Sequence, residues 1–175
     1  MKFKTRQLLF SSVFCALTAI CAQLIMPIPA GQVQISMSTF AVFLCGALLG
    51  PKYSSISMLA YILIGACGLP VFGRLSGGLA ILSGPTGGYI LSYPFMTIII
   101  GLFCLNKKSV NFYKLFLVML ISLLICYLFG SAYLAMLTKT TFISALLVGA
   151  LPFIIFDIIK AALAAYVAVI ILRYV

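Results

Sequence analysis

The chain contains one acidic residue, Asp157, and that residue lies inside the apolar stretch LPFIIFDIIKAALAAYVAVIIL. Lys160 follows it three positions later, so the two side chains share one face of a helix. An ionised side chain is costly in lipid and usually faces the protein interior or a polar cavity. We therefore predict that Asp157 and Lys160 pair inside a helical bundle. A buried pair is a poor source of stability, which favours a solute-binding role over a purely structural one.

Composition identifies the chain as an integral membrane protein. Hydrophobic residues make up 65% of the 175 residues and charged residues 7%, whereas a soluble domain carries about 25% charged residues. The apolar segments are long and continuous, which favours membrane-spanning helices over the alternating strands of a barrel. The first segment is too long, and followed by too many others, for a cleaved signal peptide.

Prolines, glycines and polar loops divide the chain into six predicted transmembrane helices, within a single membrane domain that covers residues 1–175. The second helix is short for a span, which needs about 20 residues, and Pro152 is expected to kink the sixth. The predicted ranges are about 7–26, 36–50, 53–69, 87–105, 113–137 and 144–172.

The basic residues predict that both termini are cytoplasmic. With the N-terminus inside, only Arg74 and Lys139 lie outside and Lys160 lies in the membrane, which leaves eight of the eleven basic residues inside. This is the asymmetry that the positive-inside rule describes. It also accounts for the net charge of +10 without a nucleic acid as partner.

The chain has few of the side chains that catalysis or metal binding requires. The six cysteines lie in apolar segments without a CxxC pair, and the chain has no histidine, so neither a metal site nor a disulfide framework is expected. One carboxylate leaves little for acid–base chemistry. Two short matches to nucleotide-binding motifs, LSGG and GALLGPK, lack the spacing and the acidic residues that ATP hydrolysis needs.

A second candidate region is the glycine-rich stretch LSGGLAILSGPTGGYILSYP. Its glycines allow close approach of the backbone, and Thr86 is placed to cap the helix that begins there. The N–H groups at that helix start, near Gly87 and Gly88, are expected to face an outer cavity suited to a carboxylate or carbonyl. Tyr89 and Tyr93 lie one turn apart and offer aromatic surface with hydroxyl tips. The alternative is a packing device between helix and loop.

Two further features belong to the start of the chain. The first loop is polar and uncharged, is predicted to lie outside, and has the properties of a lid. Its polar residues are Gln32, Gln34, Ser36 and Ser38.

The first helix carries small residues at four-residue spacing, which permit close helix packing in membranes. They serve either the bundle itself or the docking of another membrane protein. The predicted docking residues are Ser12, Cys15, Ala16, Ala19 and Ala22.

Three segments of the chain resemble the BioY family, the biotin-binding S components of energy-coupling factor (ECF) transporters. They are PIPAGQVQISMSTFAVFLCGALLGPKY, GACGLPVFGRLSGGLAILSGPTGGYILSYP and PFIIFDIIKAALA, in the order found in the family. The resemblance implies an S-component fold of six helices and capture of biotin from outside. It implies a T component in the membrane and two cytoplasmic ATPases as partners, so that ATP hydrolysis is not a property of this chain. A multi-pass protein of a prokaryotic plasma membrane without a cofactor of its own is expected.

The resemblance also implies roles for individual residues. The small-residue face of the first helix matches the docking surface for the T component, although Ser12 and Cys15 depart from an alanine-based spacing. Asp157 is expected to accept from the ureido N–H groups of biotin and Lys160 to donate to its carbonyl, or Lys160 binds the biotin carboxylate in a reversed pose. The other predicted binding residues are Thr86, Gly87 and Gly88 nearer the mouth and Phe72, Tyr89 and Tyr93 around the rings.

Three alternatives remain open from the sequence. The chain is an S component for another vitamin, which GPTGGY and the late DxxK motif argue against, or a solitary ion-coupled carrier with Asp157 as its proton site. The third alternative is a structural bundle without a ligand. It predicts that Asp157→Asn and Lys160→Met leave function intact.

Overall fold

A computed structural model describes residues 2–26, 35–105 and 110–174. Helices dominate this part of the chain, because an apolar segment in a membrane has to satisfy its backbone hydrogen bonds internally. The helices are α1 (Lys2–Gln23), α2 (Ser38–Ala66), α3 (Leu79–Leu82), α4 (Gly87–Cys104), α5 (Phe112–Thr138), α6 (Phe142–Gly149) and α7 (Ile154–Tyr174).

The element α2 folds back on itself at Gly50. This glycine has φ 73° and ψ 172°, a combination that is essentially restricted to glycine, and Pro51 follows it without a backbone N–H. Cys45 Sγ lies 3.9 Å from the carbonyl oxygen of Ser54, whereas nine residues of straight helix span about 13 Å. The residues before and after Gly50 therefore form two short helices that pack side by side.

The two ends of α2 meet at the same level of α4. The Tyr93 hydroxyl lies 2.7 Å from Ser38 Oγ, and the Tyr93 ring stacks on Tyr61 with 6.4 Å between centroids. Five helical stretches of the described chain are long and apolar enough to cross a membrane when α2 is counted once. Because α2 is a hairpin, the bundle has six helices, as predicted.

The last predicted helix is broken at Pro152, as expected. A 3₁₀ turn, Leu151–Phe153, separates α6 from α7. Asp157 therefore lies in the first turn of α7. At this break the chain lies against the bundle, and Phe153, just before α7, is buried.

The central helix of the bundle is α4, which packs against both halves of α2 on one side and against α5 on the other. A Cβ at Gly101 would lie 2.4 Å from the backbone nitrogen of Pro51, so this glycine permits the close approach of α4 to the turn of α2. On the outward faces, residues such as Leu9, Leu117 and Ile155 are exposed. Such faces suit a lipid environment.

Candidate solute-binding site

Asp157 and Lys160 form the buried ion pair that their spacing predicts. Each residue is 5% exposed, and Lys160 Nζ lies 2.9 Å from Asp157 Oδ1. The position of Asp157 in the first turn of α7 adds the partial positive charge of a helix start, which favours a carboxylate there.

Two hydroxyl groups from other helices also bind the carboxylate. Tyr127 of α5 donates to Asp157 Oδ2 at 2.7 Å, and Thr39 of α2 donates to Oδ1 at 3.0 Å. A carboxylate offers about four acceptor positions, of which Lys160, Thr39 and Tyr127 occupy three. Within the described part of the chain, an acceptor position on Oδ2 is therefore open to an N–H group of a ligand.

The ammonium group of Lys160 uses its three protons within the protein. Besides Asp157, Nζ donates to the carbonyl oxygen of Ser36 at 2.7 Å and to Thr39 Oγ1 at 3.4 Å. Ser36 belongs to a short antiparallel ladder, Ile25–Met26 with Ile35–Ser36, that joins the two ends of the first loop. A ligand carbonyl can bind Lys160 only by replacing or sharing one of these acceptors.

Two adjoining cavities extend from this network. The first, of about 50 Å³, has Asp157, Lys160 and Tyr127 in its wall. The second, of about 120 Å³, lies beneath the loop before α4 and has Phe72 and Thr86 in its wall. Both are smaller than the small-molecule sites of about 300–1,000 Å³ that are usual in proteins. Four residues line both cavities: Ser36, Ser38, Tyr89 and Tyr93.

Aromatic rings form the wall of the second cavity. Phe72 is buried and packs edge-on against Tyr61 at 5.5 Å, and Tyr61 stacks on Tyr93. Tyr89 lies on the other side, where its ring packs against Gly130; a Cβ at Gly130 would lie 2.2 Å from the ring. The structure thus brings Asp157 and Lys160 to one of two adjoining cavities and Phe72 to the other, with Tyr89 and Tyr93 in the walls of both.

The start of α4 differs from the sequence expectation. The Thr86 side chain lines the second cavity but makes no capping hydrogen bond within the described chain, so the expected cap is wrong. A Cβ at Gly87 would lie 1.8 Å from the Leu82 carbonyl oxygen, and one at Gly88 would lie 2.4 Å from Tyr133 Cβ. Gly87 and Gly88 therefore allow close packing of α4 against the loop and against α5, which was the alternative interpretation of this stretch. Their contact with a ligand stays a prediction.

The polar first loop is described only at its second end. Gln32 and Gln34 lie outside the described residues. Ser36 and Ser38 lie in the walls of both cavities, and their Oγ atoms are 2.6 Å apart. The Ser38 hydroxyl in turn lies 2.7 Å from the Tyr93 hydroxyl, so this end of the loop is tied to the cavity wall.

Sequence reasoning missed three residues of the network: Thr39, Tyr61 and Tyr127. A signal existed for Tyr127, because a tyrosine hydroxyl in the middle of a long apolar helix needs a partner and the chain has a single acid. Thr39 and Tyr61 carried no comparable signal.

Among the described residues there is no cluster of three His, Cys, Asp or Glu side chains that could bind a metal.

The small-residue face of α1 is divided between two surfaces. An outward-facing groove of about 640 Å³ between α1 and the second half of α2 is lined by Ser12, Cys15, Ala16 and Ala19. Ala22 instead lines the second cavity. The floor of the groove is tight because the Ser57 hydroxyl donates to the Ser11 carbonyl oxygen at 2.7 Å.

Fold and site together define a helical membrane protein whose helices enclose a cavity with one buried ion pair at its end. The model of the BioY family matches residues 1–175. The chain therefore belongs to the BioY family, and the family predicted from the sequence is confirmed.

Similar proteins cover nearly the whole chain. The "Probable biotin transporter BioY" of Pyrococcus horikoshii is 41% identical over 94% of this chain and 95% of its own length. The "Biotin transporter BioY" of Thermotoga maritima is 37% identical over 93% of this chain and 94% of its own length. A crystal structure of the S-component for biotin from an ECF-type ABC transporter superposes with a TM-score of 0.91 at 28% identity. The match covers 98% of this chain and 93% of that one, which confirms the predicted S-component fold.

Proposed function

We propose that this chain is the S component of an ECF-type ABC transporter and that it captures biotin from outside the cell. A T component and two ATPases then drive uptake. The observation that carries the proposal is the buried Asp157–Lys160 pair at the end of a cavity with aromatic walls. It is supported by relatives that are named biotin transporters.

The ureido ring of biotin faces the ion pair in this proposal. The open acceptor position on Asp157 Oδ2 suits a ureido N–H, and the ureido carbonyl replaces the Ser36 carbonyl on Lys160. The pair is neutral as a whole, so a neutral ureido group adds no uncompensated charge to the interior. The carboxylate of biotin in the same place leaves a buried charge without a partner, which is strongly unfavourable.

The remaining parts of biotin occupy the second cavity. The apolar thioether ring packs between Tyr89 and Tyr93, whose rings line both cavities. Phe72 closes the far wall, and the carboxylate chain extends past Thr86 towards the mouth. Gly87 and Gly88 support this arrangement because they allow α4 to pack closely on the loop and on α5.

The groove of α1 and α2 is the proposed docking surface for the T component. It is apolar apart from a few hydroxyl groups, and Ser12 and Ala16 are exposed in it. Small side chains allow a partner helix to approach the backbone closely, which is how helices associate in lipid. The chain itself then has neither enzymatic activity nor a cofactor, and its place is the plasma membrane of a prokaryotic cell with both termini inside.

Competition binding tests the ligand and its orientation. Purified protein in detergent is dialysed against radiolabelled biotin, with unlabelled biotin, biotin methyl ester, riboflavin or thiamine as competitor. We expect saturable binding that biotin and its ester displace and that the other two vitamins do not. Absence of saturable binding by the folded protein, or displacement by another vitamin, contradicts the proposal. Failure of the ester alone to compete supports the reversed pose.

A further inference from the structure

Gln23, the last residue of α1, is hydrogen-bonded to the loop that follows α2. Its Nε2 donates to the carbonyl oxygen of Phe72 at 2.9 Å, and its Oε1 accepts from the backbone N–H of Leu75 at 2.8 Å. A third bond, from Nε2 to the Ala19 carbonyl oxygen at 3.1 Å, fixes the amide on its own helix. One side chain therefore holds the loop at two points through both of its polar atoms.

The loop residues 71–76, here called the lid segment, adopt an unfavourable backbone conformation. Arg74 has φ 59° and Leu75 has φ 51°, two successive left-handed residues without glycine. Such residues persist only where their surroundings hold them. Within the segment, the Phe72 N–H donates to the Ser76 carbonyl oxygen at 3.0 Å. From outside it, the Gln23 amide binds Leu75 directly.

The lid segment is also a wall of the proposed biotin cavity. Phe72, Gly73 and Ser76 line the second cavity, and the Phe72 ring is 1% exposed. Val71, the neighbour of Phe72, lines the groove between α1 and α2. The segment thus separates the cavity from the groove, and the bonds of Gln23 hold Phe72 in the cavity wall.

We propose that Gln23 is a positioning residue that keeps the lid segment closed and thereby slows the exchange of the bound ligand. This inference rests on the proposed function. Gln23 does not line either cavity in the described structure, so it acts through Phe72 and Leu75 and not by contact with biotin. Loss of its two bonds to the segment releases the strained residues and lets Phe72 leave the wall.

Two variants and one control test the inference. Gln23→Met keeps the length of the side chain and removes both bonds, while Gln23→Glu keeps the acceptor for Leu75 and removes the donor for Phe72. Gln7→Met is the control, since Gln7 lies on the same helix and lines a different groove near the other end of α1. Dissociation of radiolabelled biotin is measured after dilution into unlabelled biotin. Hydrogen exchange of residues 71–76 is measured without ligand.

We expect Gln23→Met to dissociate biotin about tenfold faster or more, as the loss of two hydrogen bonds allows, and Gln23→Glu to fall between it and the wild type. Backbone exchange in the lid segment rises in the same order, and Gln7→Met behaves as wild type. The inference is overturned if both Gln23 variants dissociate biotin and exchange backbone hydrogens at the wild-type rates. If Gln23→Met does not fold, the rates of Gln23→Glu alone decide the question. Failure of the wild type to bind biotin refutes the proposed function, whereas hydrogen exchange still tests the role of Gln23.

Discussion

At the scale of single residues, the proposed site is built around the one side-chain carboxyl group of the chain, which lies buried in an apolar bundle. Asp157 accepts from Lys160, Thr39 and Tyr127, so each of its oxygens has at least one donor. Tyr127 is the only one of these donors to bind Oδ2 in the described structure. It also fixes the direction in which the remaining acceptor position of Oδ2 faces the cavity.

Tyr127→Phe is expected to weaken biotin binding by about tenfold to a hundredfold, since a hydrogen bond to a charged group contributes about 1.5–3 kcal/mol. The measurement is equilibrium dialysis with radiolabelled biotin. Tyr113→Phe is the matched control, because Tyr113 lies on the same helix and is 76% exposed. Equal affinity of Tyr127→Phe and the wild type refutes a role for this hydroxyl.

The sequence predicts the pair but not the residues around it. Asp157 and Lys160 are three positions apart in an apolar run, so a helix alone brings them together. Thr39 lies 118 positions from Asp157, and contact between them depends on how α2 packs against α7. Such packing is set by the whole bundle and not by local periodicity.

At the scale of helices, chain breaks were predictable and the pairing of helices was not. Gly50-Pro51 and Pro152 interrupt apolar runs, and the structure changes direction at both. The left-handed Arg74 and Leu75 were not predictable, because residues with a side chain disfavour positive φ. Their conformation depends on tertiary contacts such as those of Gln23.

The helix α1 carries the prediction for partner docking. Ala16→Trp places a large side chain in the groove and is expected to abolish co-purification with the cognate T component and ATPases, while biotin binding stays at the wild-type level. Leu124→Trp is the control, since Leu124 is 56% exposed on α5, away from the groove. An intact complex with Ala16→Trp contradicts this docking surface.

At the scale of the whole molecule, α1 and the lid segment separate two surfaces with different proposed tasks. The groove faces outward, whereas the two cavities lie inside the bundle, and neighbouring residues such as Val71 and Phe72 face one each. The bundle can therefore hold a solute on one side of this wall while a partner binds on the other.

The most direct test of the central claim compares biotin binding by the wild type, Asp157→Asn, Lys160→Met and the double variant. Removal of one partner leaves a buried charge and costs about 3–5 kcal/mol, so thermal unfolding is measured beside binding. The double variant removes both charges and is expected to unfold near the wild-type temperature. Lys139→Met, at an exposed lysine, is the control. We predict that the stable double variant loses biotin binding by at least about a hundredfold; binding at the wild-type level contradicts the assignment of this pair to the ligand.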